Sequence, residues 1–346
     1  MRINRAIVAT AAALLALTLT ACSTENTSSS NNSSQSASTS DSVTIKHAFG
    51  ETVIQGTPER IATVGWANHE VPLALGVVPV GISRATFGDD DGNGILPWVE
   101  DKLAELGGET PVLFDETDGI PFEQVADTKP DVILAAYSGM TQEDYDKLSK
   151  IAPVIAQPGE AWQTSLEEMN LMDSQGMNQA AAGEKLNQDL KQEIADTMAA
   201  YPALKGKKVL FTSFGYSKED NNLGFYTTND PRAGFLQSAG FEVPTVVKED
   251  TQTASGFWSE RSLENPEAFD DVDVFISYGS DDEAENQETL KALQENPLTG
   301  RIPAVQAGRV VFLGNGPIAA AANPTPLSIP ATLDTYFGMI NQAATR

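Results

Sequence analysis

Residues 129–157 read KPDVILAAYSGMTQEDYDKLSKIAPVIAQ, and their pattern decides the fold class. Residues 131–136 read as a buried strand ending at Tyr137, with Val132 to Ala136 the unbroken apolar composition of a strand covered on both faces. Residues 141–150 then read as a helix, and residues 151–157 as a second short apolar strand interrupted by Pro153. Strand, helix and strand in this order describe a unit of a mostly parallel sheet with helices on its faces.

The alternation extends in both directions. Upstream, VTIKHAFGETVIQ (43–55) has two alternating runs flanking Phe49-Gly50, which predicts a β-hairpin. Residues 60–65 predict a strand ending at Trp66, and 69–75 a short helix closed by Gly76. Residues 78–82 predict a strand ending near Arg84, and 121–128 a helix. Downstream, residues 165–201 hold no proline, and Ser165 with Glu168 forms a capping box. Gly176 and Gly183 are expected to break or kink this run. Leu186, Leu190, Ile194 and Met198 recur every four residues, as on an amphipathic helix spanning roughly 30 Å, long enough to cross between two lobes. Further strands are expected at 208–212 (followed by Phe214 and Tyr216), 243–247, 272–277 (ending at Tyr278) and 309–313. Helices are expected from Asp230-Pro231 to Gly240, and at 262–268, 285–294 and 332–343. The whole reads as an α/β protein of two Rossmann-like lobes joined by a long α-helix, with a ligand cleft between the lobes.

The N-terminus sets the address. Arg2 and Arg5 precede an apolar stretch, 6–19, too short to serve as a stable membrane span. It ends Leu19-Thr20-Ala21-Cys22, which resembles the bacterial lipobox, where the cysteine is acylated and becomes the new N-terminus. Cys22 is the chain's one cysteine, so no intrachain disulfide can form. Each buried CH₂ of a lipid chain contributes about 0.8 kcal/mol, so two or three chains tether firmly. Residues 23–42, STENTSSSNNSSQSASTSDS, hold nothing able to build a core and read as a disordered, Ser-rich tether. The expected organisation is signal peptide 1–22, tether 23–42, N-terminal lobe 43–160, helical connector 161–204, and C-terminal lobe with closing helix 205–346.

The 346 residues include 48 acids against 22 lysines and arginines, a net charge of −26. Such a surface repels nucleic acid and anionic headgroups, so no nucleic-acid partner is expected. An anionic ligand would need a local cluster of Arg or aromatic groups.

The pattern resembles the ferric-siderophore-binding lipoproteins, and more widely the ABC-importer solute-binding proteins with a helical interlobe connector that also carry cobalamin and haem. The resemblance rests on KHAFGETVIQGTPERIATVGW (46–66), EVPLALGVVPVGI (70–82), KPDVILAAY (129–137), YDKLSKIAPVIA (145–156) and GRVVFLG (308–314), in that order and spacing. It implies a monomeric binding protein with modest opening and closing. It would capture a ferric siderophore on the extracytoplasmic face and deliver it to permease subunits. Haem or cobalamin is the alternative cargo. The resemblance also implies one acid per lobe that meets permease arginines; the matching positions are Glu123 and Glu264. Each is expected in the first turn of a helix, where the macrodipole alone would also favour an acid.

In open α/β sheets ligands sit outside the carboxyl ends of the strands. Those ends offer Trp66, Arg84, Tyr137, Tyr216 and Tyr278; the loops add Trp98, Trp162, Arg232, Trp258 and Arg261. Arginine supplies a planar charged fork and aromatics supply area, as a bulky flat anion would require. His69, at a helix start facing the cleft, is a further candidate, while His47 in the hairpin reads as structural. Two histidines and one cysteine are too few to ligate bare metal, whereas a siderophore brings its own oxygens. No protein-bound metal or cofactor is therefore expected. Haem would want an axial Tyr or His, for which Tyr137, Tyr216, Tyr278 and His69 are available.

Asp89, Asp91, Asn93, Gly94 and Glu100 match the spacing of a calcium loop, but Pro97 interrupts it and the segment is also a good turn. No G-x-S-x-G, H-E-x-x-H or P-loop is present, and no residue is marked as a nucleophile, so an enzyme such as a paired-carboxylate hydrolase is not expected. A sensor or adhesion module that kept the fold and lost transport is a third reading.

Overall fold

Short apolar runs bounded by turns make the strands. The computed structural model describes residues 42–214, 221–254 and 256–346. The signal peptide, Cys22, tether residues 23–41 and Tyr216 lie outside the described residues.

An antiparallel hairpin, β1 (Ser42–His47) and β2 (Gly50–Gln55), opens the N-terminal lobe, turning at Ala48-Phe49. His47 is structural: its Nε2 lies 3.0 Å from Thr52 Oγ1, and its ring packs 5.0 Å from that of Tyr145. The lobe is built on β3 (Ile61–Thr63), β4 (Gly81–Ser83), β5 (Val112–Phe114), β6 (Val132–Ala135) and β7 (Val154–Ala156). Among the described residues these form a parallel sheet in the order β5-β4-β3-β6-β7. Helices α1 (Glu70–Ala74), α2 (Pro97–Leu106), α3 (Phe122–Asp127) and α4 (Gln142–Leu148) connect the strands. β6 is buried at every residue, as its unbroken apolar run requires.

The connector is a helical hairpin. The helix α5 (Leu166–Gly176) starts at the Ser165–Glu168 capping box, and α6 (Ala180–Ala200) follows after a break at Met177. The break falls beside Gly176, as expected, but Gly183 does not break the run. It lies inside α6, where it lets the two helices touch: a Cβ there would sit 1.9 Å from Ser174 Oγ. Asn187 on α6 ties back to Asn170 and to the Glu167 carbonyl on α5. The stripe of Leu186, Leu190, Ile194 and Met198 packs into the core of the C-terminal lobe.

That lobe contains β8 (Val209–Phe211), β9 (Asn222–Tyr226), α7 (Pro231–Ser238), α8 (Thr245–Thr253), β10 (Trp258–Ser262) and β11 (Val274–Ser277). It continues with α9 (Glu283–Glu295), α10 (Pro303–Gln306), β12 (Val310–Phe312), α11 (Pro317–Ala321) and α12 (Ser328–Ala344). Among the described residues the order β12-β11-β8 forms a parallel sheet, and β9 pairs β10 as an antiparallel hairpin. One face of the sheet packs against α6, α7 and α12, the other against α8, α9 and α10.

Two expected elements are corrected. Residues 243–247 do not form a strand: Pro244 precedes α8, and the Asp271 carboxylate accepts the Thr245 N–H at 3.0 Å and hydroxyl at 2.7 Å. A residue distant in sequence thus caps the helix. Residues 262–268 do not form an α-helix either. Pairing with β9 extends β10 through Ser262, and only a 3-10 turn, Pro266–Phe269, follows.

The lobes also meet through a shared apolar cluster. Leu73, Trp98 and Val99 of the N-terminal lobe pack with Ala320, Ala321 and Leu327 of the α11–α12 segment. Among the described residues no helix is long and apolar enough to cross a membrane.

The close crossing of α5 and α6 is open to test. Gly183→Val must push Ser174 or the Asn170 carbonyl aside, so it should lower unfolding free energy by about 1–3 kcal/mol. A denaturant titration checks this; an unchanged midpoint would show that the helices part without cost.

Candidate functional site

The carboxyl ends of both parallel sheets converge on one cavity of about 580 Å³. From the N-terminal lobe come Trp66, after β3, and Phe87, after β4. The opposite wall carries Phe214 after β8, Tyr278 after β11 and Arg232 at the start of α7. Phe87 and Tyr278 meet edge to face at 5.7 Å, so an aromatic pair bridges the lobes at this wall.

Sequence constraints set Trp66 in place. Gly65 adopts φ +77°, and a Cβ there would lie 2.8 Å from the Tyr137 carbonyl. The fully buried Asn68 clamps the same two loops. Its Nδ2 donates to the carbonyls of Val64 (2.7 Å) and Tyr137 (2.9 Å), and its Oδ1 accepts the Tyr137 N–H. Tyr137 is consequently held still, and its hydroxyl accepts from Asn323 Nδ2 at 3.0 Å across the lobes. Burial pushes the Tyr137 phenol up to about 12, so it stays protonated.

Arg232 is the cation on the cavity wall among the described residues. Its Nη1 lies 2.7 Å from Asp230 Oδ2, and the face of Tyr226 lies 4.6 Å from its guanidinium carbon. Burial opposes its charge, but the Asp230 carboxylate together with the neighbouring Tyr278, Tyr226 and Tyr137 holds the guanidinium above its ordinary range. Burial likewise raises the Tyr278 phenol, against the pull of Arg232. Among the described residues Trp66 Nε1 and Arg232 Nε are buried donors that find no acceptor.

The other candidates are distributed around this wall. Trp258 backs it: its ring packs 5.0 Å from Tyr226 and covers Gly224, where a Cβ would clash at 2.1 Å. Trp162, 38% exposed and at φ +62°, stands edge to face against Tyr137 at 5.6 Å. Arg84 is exposed and, with His69, borders a neighbouring cavity of about 30 Å³ rather than the large one. His69 is buried, and burial drops its imidazole to about 4, so it is neutral and inward rather than a cleft contact. Trp98 belongs to the interlobe core: it is 5% exposed and its Nε1 donates to Glu70 at 2.8 Å. Arg261 is taken by Asp250, with Glu249 3.7 Å away, and does not reach the cavity. Phe87, Phe214 and Asn323 line the cavity without having been singled out by sequence. Phenylalanine in a loop carries no signal distinguishing it from packing, and Asn323 gains its role only when α11 meets β6.

The calcium-like loop turns its oxygens inward. Asp89 accepts the backbone N–H groups of Asp91, Gly92 and Gly94, and Asn93 Oδ1 accepts that of Ile95. Among the described residues no group of three or more His, Cys, Asp or Glu is placed to hold a metal.

A groove of about 840 Å³ lies between the α5–α6 hairpin and α7. It is larger, but its walls are mostly helix side chains such as Glu167, Glu184 and Lys191, and it lacks the convergence of strand ends. Chemistry rather than volume favours the 580 Å³ cavity.

Glu70 joins the lobes beneath this site. Fully buried, it accepts Trp98 Nε1–H at Oε1 and the Leu327 N–H (3.0 Å) at Oε2. Burial raises its carboxyl from 4.5 to about 7, against the hydrogen bonds that favour its charge. A folded value above the unfolded one means this group's contribution to stability falls as pH rises between those limits. His69 works oppositely, adding stability as pH rises from about 4 toward 6.5. Glu70→Gln removes the first dependence. Its stability relative to wild type should therefore rise by roughly 3 kcal/mol between pH 4 and 8. Urea titrations across that range check this, and a constant difference would disprove it.

Comparison with known proteins follows the same geometry. A periplasmic binding protein family model matches residues 61–316. The solved structure of Streptococcus pneumoniae TIGR4 PiaA in complex with ferrichrome is 42% identical at a TM-score of 0.81, covering 88% of this chain and 99% of that one. "Probable siderophore-binding lipoprotein YfiY" of Bacillus subtilis (strain 168) is 27% identical, over 82% of this chain and 85% of its own length. The Bacillus subtilis Iron(3+)-hydroxamate-binding protein YxeB is 28% identical, over 77% and 76% respectively.

Proposed function

The chain belongs to the periplasmic binding protein family, and from that premise we propose that it captures a ferric siderophore and delivers it to the permease of an ABC importer. The observation that carries this reading is the interlobe cavity walled by Trp66, Phe87, Tyr278 and Arg232. Its volume suits a compact chelate, and its aromatic surface suits the apolar shell of one. The relatives are named as binding proteins of iron chelates, and the wall carries buried hydrogen-bond donors. Binding without reaction is the activity that such a site supports. Of the axial candidates for haem that the structure describes, Tyr278 has a phenol raised by burial, Tyr137 is engaged with Asn323, and His69 borders the neighbouring cavity; Tyr216 lies outside the described residues.

The lipobox at Cys22 would anchor the protein on the extracytoplasmic face, with residues 23–41 as its leash. Glu123 and Glu264 would meet permease arginines. Glu123 is exposed in the first turn of α3, which follows the carboxyl end of β5. Glu264 is exposed too, but sits in the turn after β10, its N–H donating to Ser262 Oγ, rather than on a helix. It therefore lacks the macrodipole explanation that applies to Glu123.

Tryptophan fluorescence of the full chain in detergent, titrated with ferric siderophores, haemin and cobalamin, tests the cargo. Saturable quenching by ferric siderophores is expected; quenching by haemin or cobalamin alone would overturn the assignment. Arg232→Ala and Trp66→Ala should each weaken siderophore binding at least tenfold. Glu123→Ala with Glu264→Ala should reduce cellular uptake while leaving the dissociation constant unchanged, and undiminished uptake would remove the docking role.

A further inference from the structure

Among the described residues the cavity wall has a cation but no surplus of positive charge. Asp230 is 1% exposed and lies directly behind Arg232. Its Oδ1 accepts the Arg232 backbone N–H at 2.9 Å, which caps α7, while Oδ2 takes the guanidinium at 2.7 Å. A carboxylate shielded from water therefore cancels Arg232 at its base and cannot be drawn away by solvent. The other ionisable group among the lining residues, besides Tyr278, is an acid, Glu285, whose carboxylate accepts from Ser280 Oγ at 2.6 Å. The full chain carries a net charge of −26.

We propose that Asp230 sets the charge class of the ligand: by neutralising Arg232 it makes the cavity select uncharged ferric complexes and reject anionic ones. This rests on the siderophore reading and adds a specificity-determining residue to it. Ferric iron held by three singly charged hydroxamates is neutral, whereas three doubly charged catecholates leave the complex triply negative. An anion entering this cavity would lose its hydration and, among the described lining residues, find no free counter-charge, a penalty that buried ions repay only when well paired. A neutral complex incurs no such cost. It still meets the guanidinium of Arg232 on the cavity wall, whose ion pair with Asp230 is made through Nη1. Arg232 thus acts as an oriented hydrogen-bond donor rather than as a free charge.

Asp230→Asn separates the two roles of the carboxyl, since asparagine retains helix-capping ability and loses the charge. The full chain in detergent would be titrated with ferrichrome as the neutral probe and a ferric tris-catecholate as the anionic one, at low and high salt. Wild type should favour ferrichrome at least a hundredfold. Asp230→Asn should narrow that ratio at least tenfold by gaining on the anion, with the gain fading at high salt. The double variant Asp230→Asn with Arg232→Gln should restore the neutral preference, although with weaker binding overall. Glu105→Gln, which removes one exposed acid on α2, should leave the ratio unchanged. If Asp230→Asn fails to fold by circular dichroism, Asp230→Ser, an uncharged cap, takes its place. A ratio unchanged within twofold in the uncharged variant, or an equal shift in Glu105→Gln, overturns the inference. Equal wild-type affinity for both probes also overturns it while leaving the siderophore reading intact. Binding of neither probe sinks both.

Discussion

The carboxyl group of Glu70 bonds to two parts of the chain that meet nowhere in sequence. Trp98 Nε1 and the Leu327 N–H, 28 and 257 residues away, converge on it where it is fully buried. A buried acceptor left without its donors costs about 1–3 kcal/mol or more, so these partners are held with little freedom to move. Through Leu327 the constraint reaches the segment carrying Asn323, which grips Tyr137 across the lobes. The apolar cluster of Trp98, Ala320, Ala321 and Leu327 fills the space between. The two sheets are consequently linked by a packed joint as well as by the helical hairpin, which favours a cleft that adjusts over one that swings wide.

This joint explains the position of the cavity. Because the sheets present their carboxyl ends to each other, the loops after β3, β4, β8 and β11 and the start of α7 must share the intervening space. Aromatic side chains fill much of it: Phe87 against Tyr278, Phe211 against Tyr278, Trp258 against Tyr226. Tyr226 in turn supports Arg232. A ligand would meet preformed aromatic faces and a guanidinium already fixed in direction, so little side-chain freedom is lost on binding. The left-handed backbone at Ala67 and Trp162 borders the same region, where the surrounding bonds hold unfavourable geometry in place.

The electrostatics of this wall differ from those of an anion trap. A solitary buried arginine would attract any anion small enough to enter. Arg232 instead shares its charge with Asp230 and its face with Tyr226. What remains is directional hydrogen bonding, well matched to an oxygen-rich chelate whose iron is already satisfied. The calcium-like loop shows the converse case, in which acidic spacing suggestive of a metal is absorbed by the loop's own N–H groups.

The sequence by itself determined the alternating α/β architecture, because local hydrophobic period and turn chemistry are properties of consecutive residues. It placed β6 and β7, the Asp230-Pro231 helix start and the stripe of α6 for that reason, and it brought Trp66, Arg232 and Tyr278 to strand and helix ends. Only the tertiary structure decided the remainder. Asp271 capping Thr245 turned an apparent strand into α8, and pairing with β9 turned an apparent helix into β10. Trp98 sank into the core because Glu70 offered an acceptor, and Arg261 turned aside because Asp250 lay closer. Each of these outcomes depends on a partner distant in sequence. Whether an aromatic or a charge faces a ligand or a neighbour is decided by such pairings, which local sequence cannot specify.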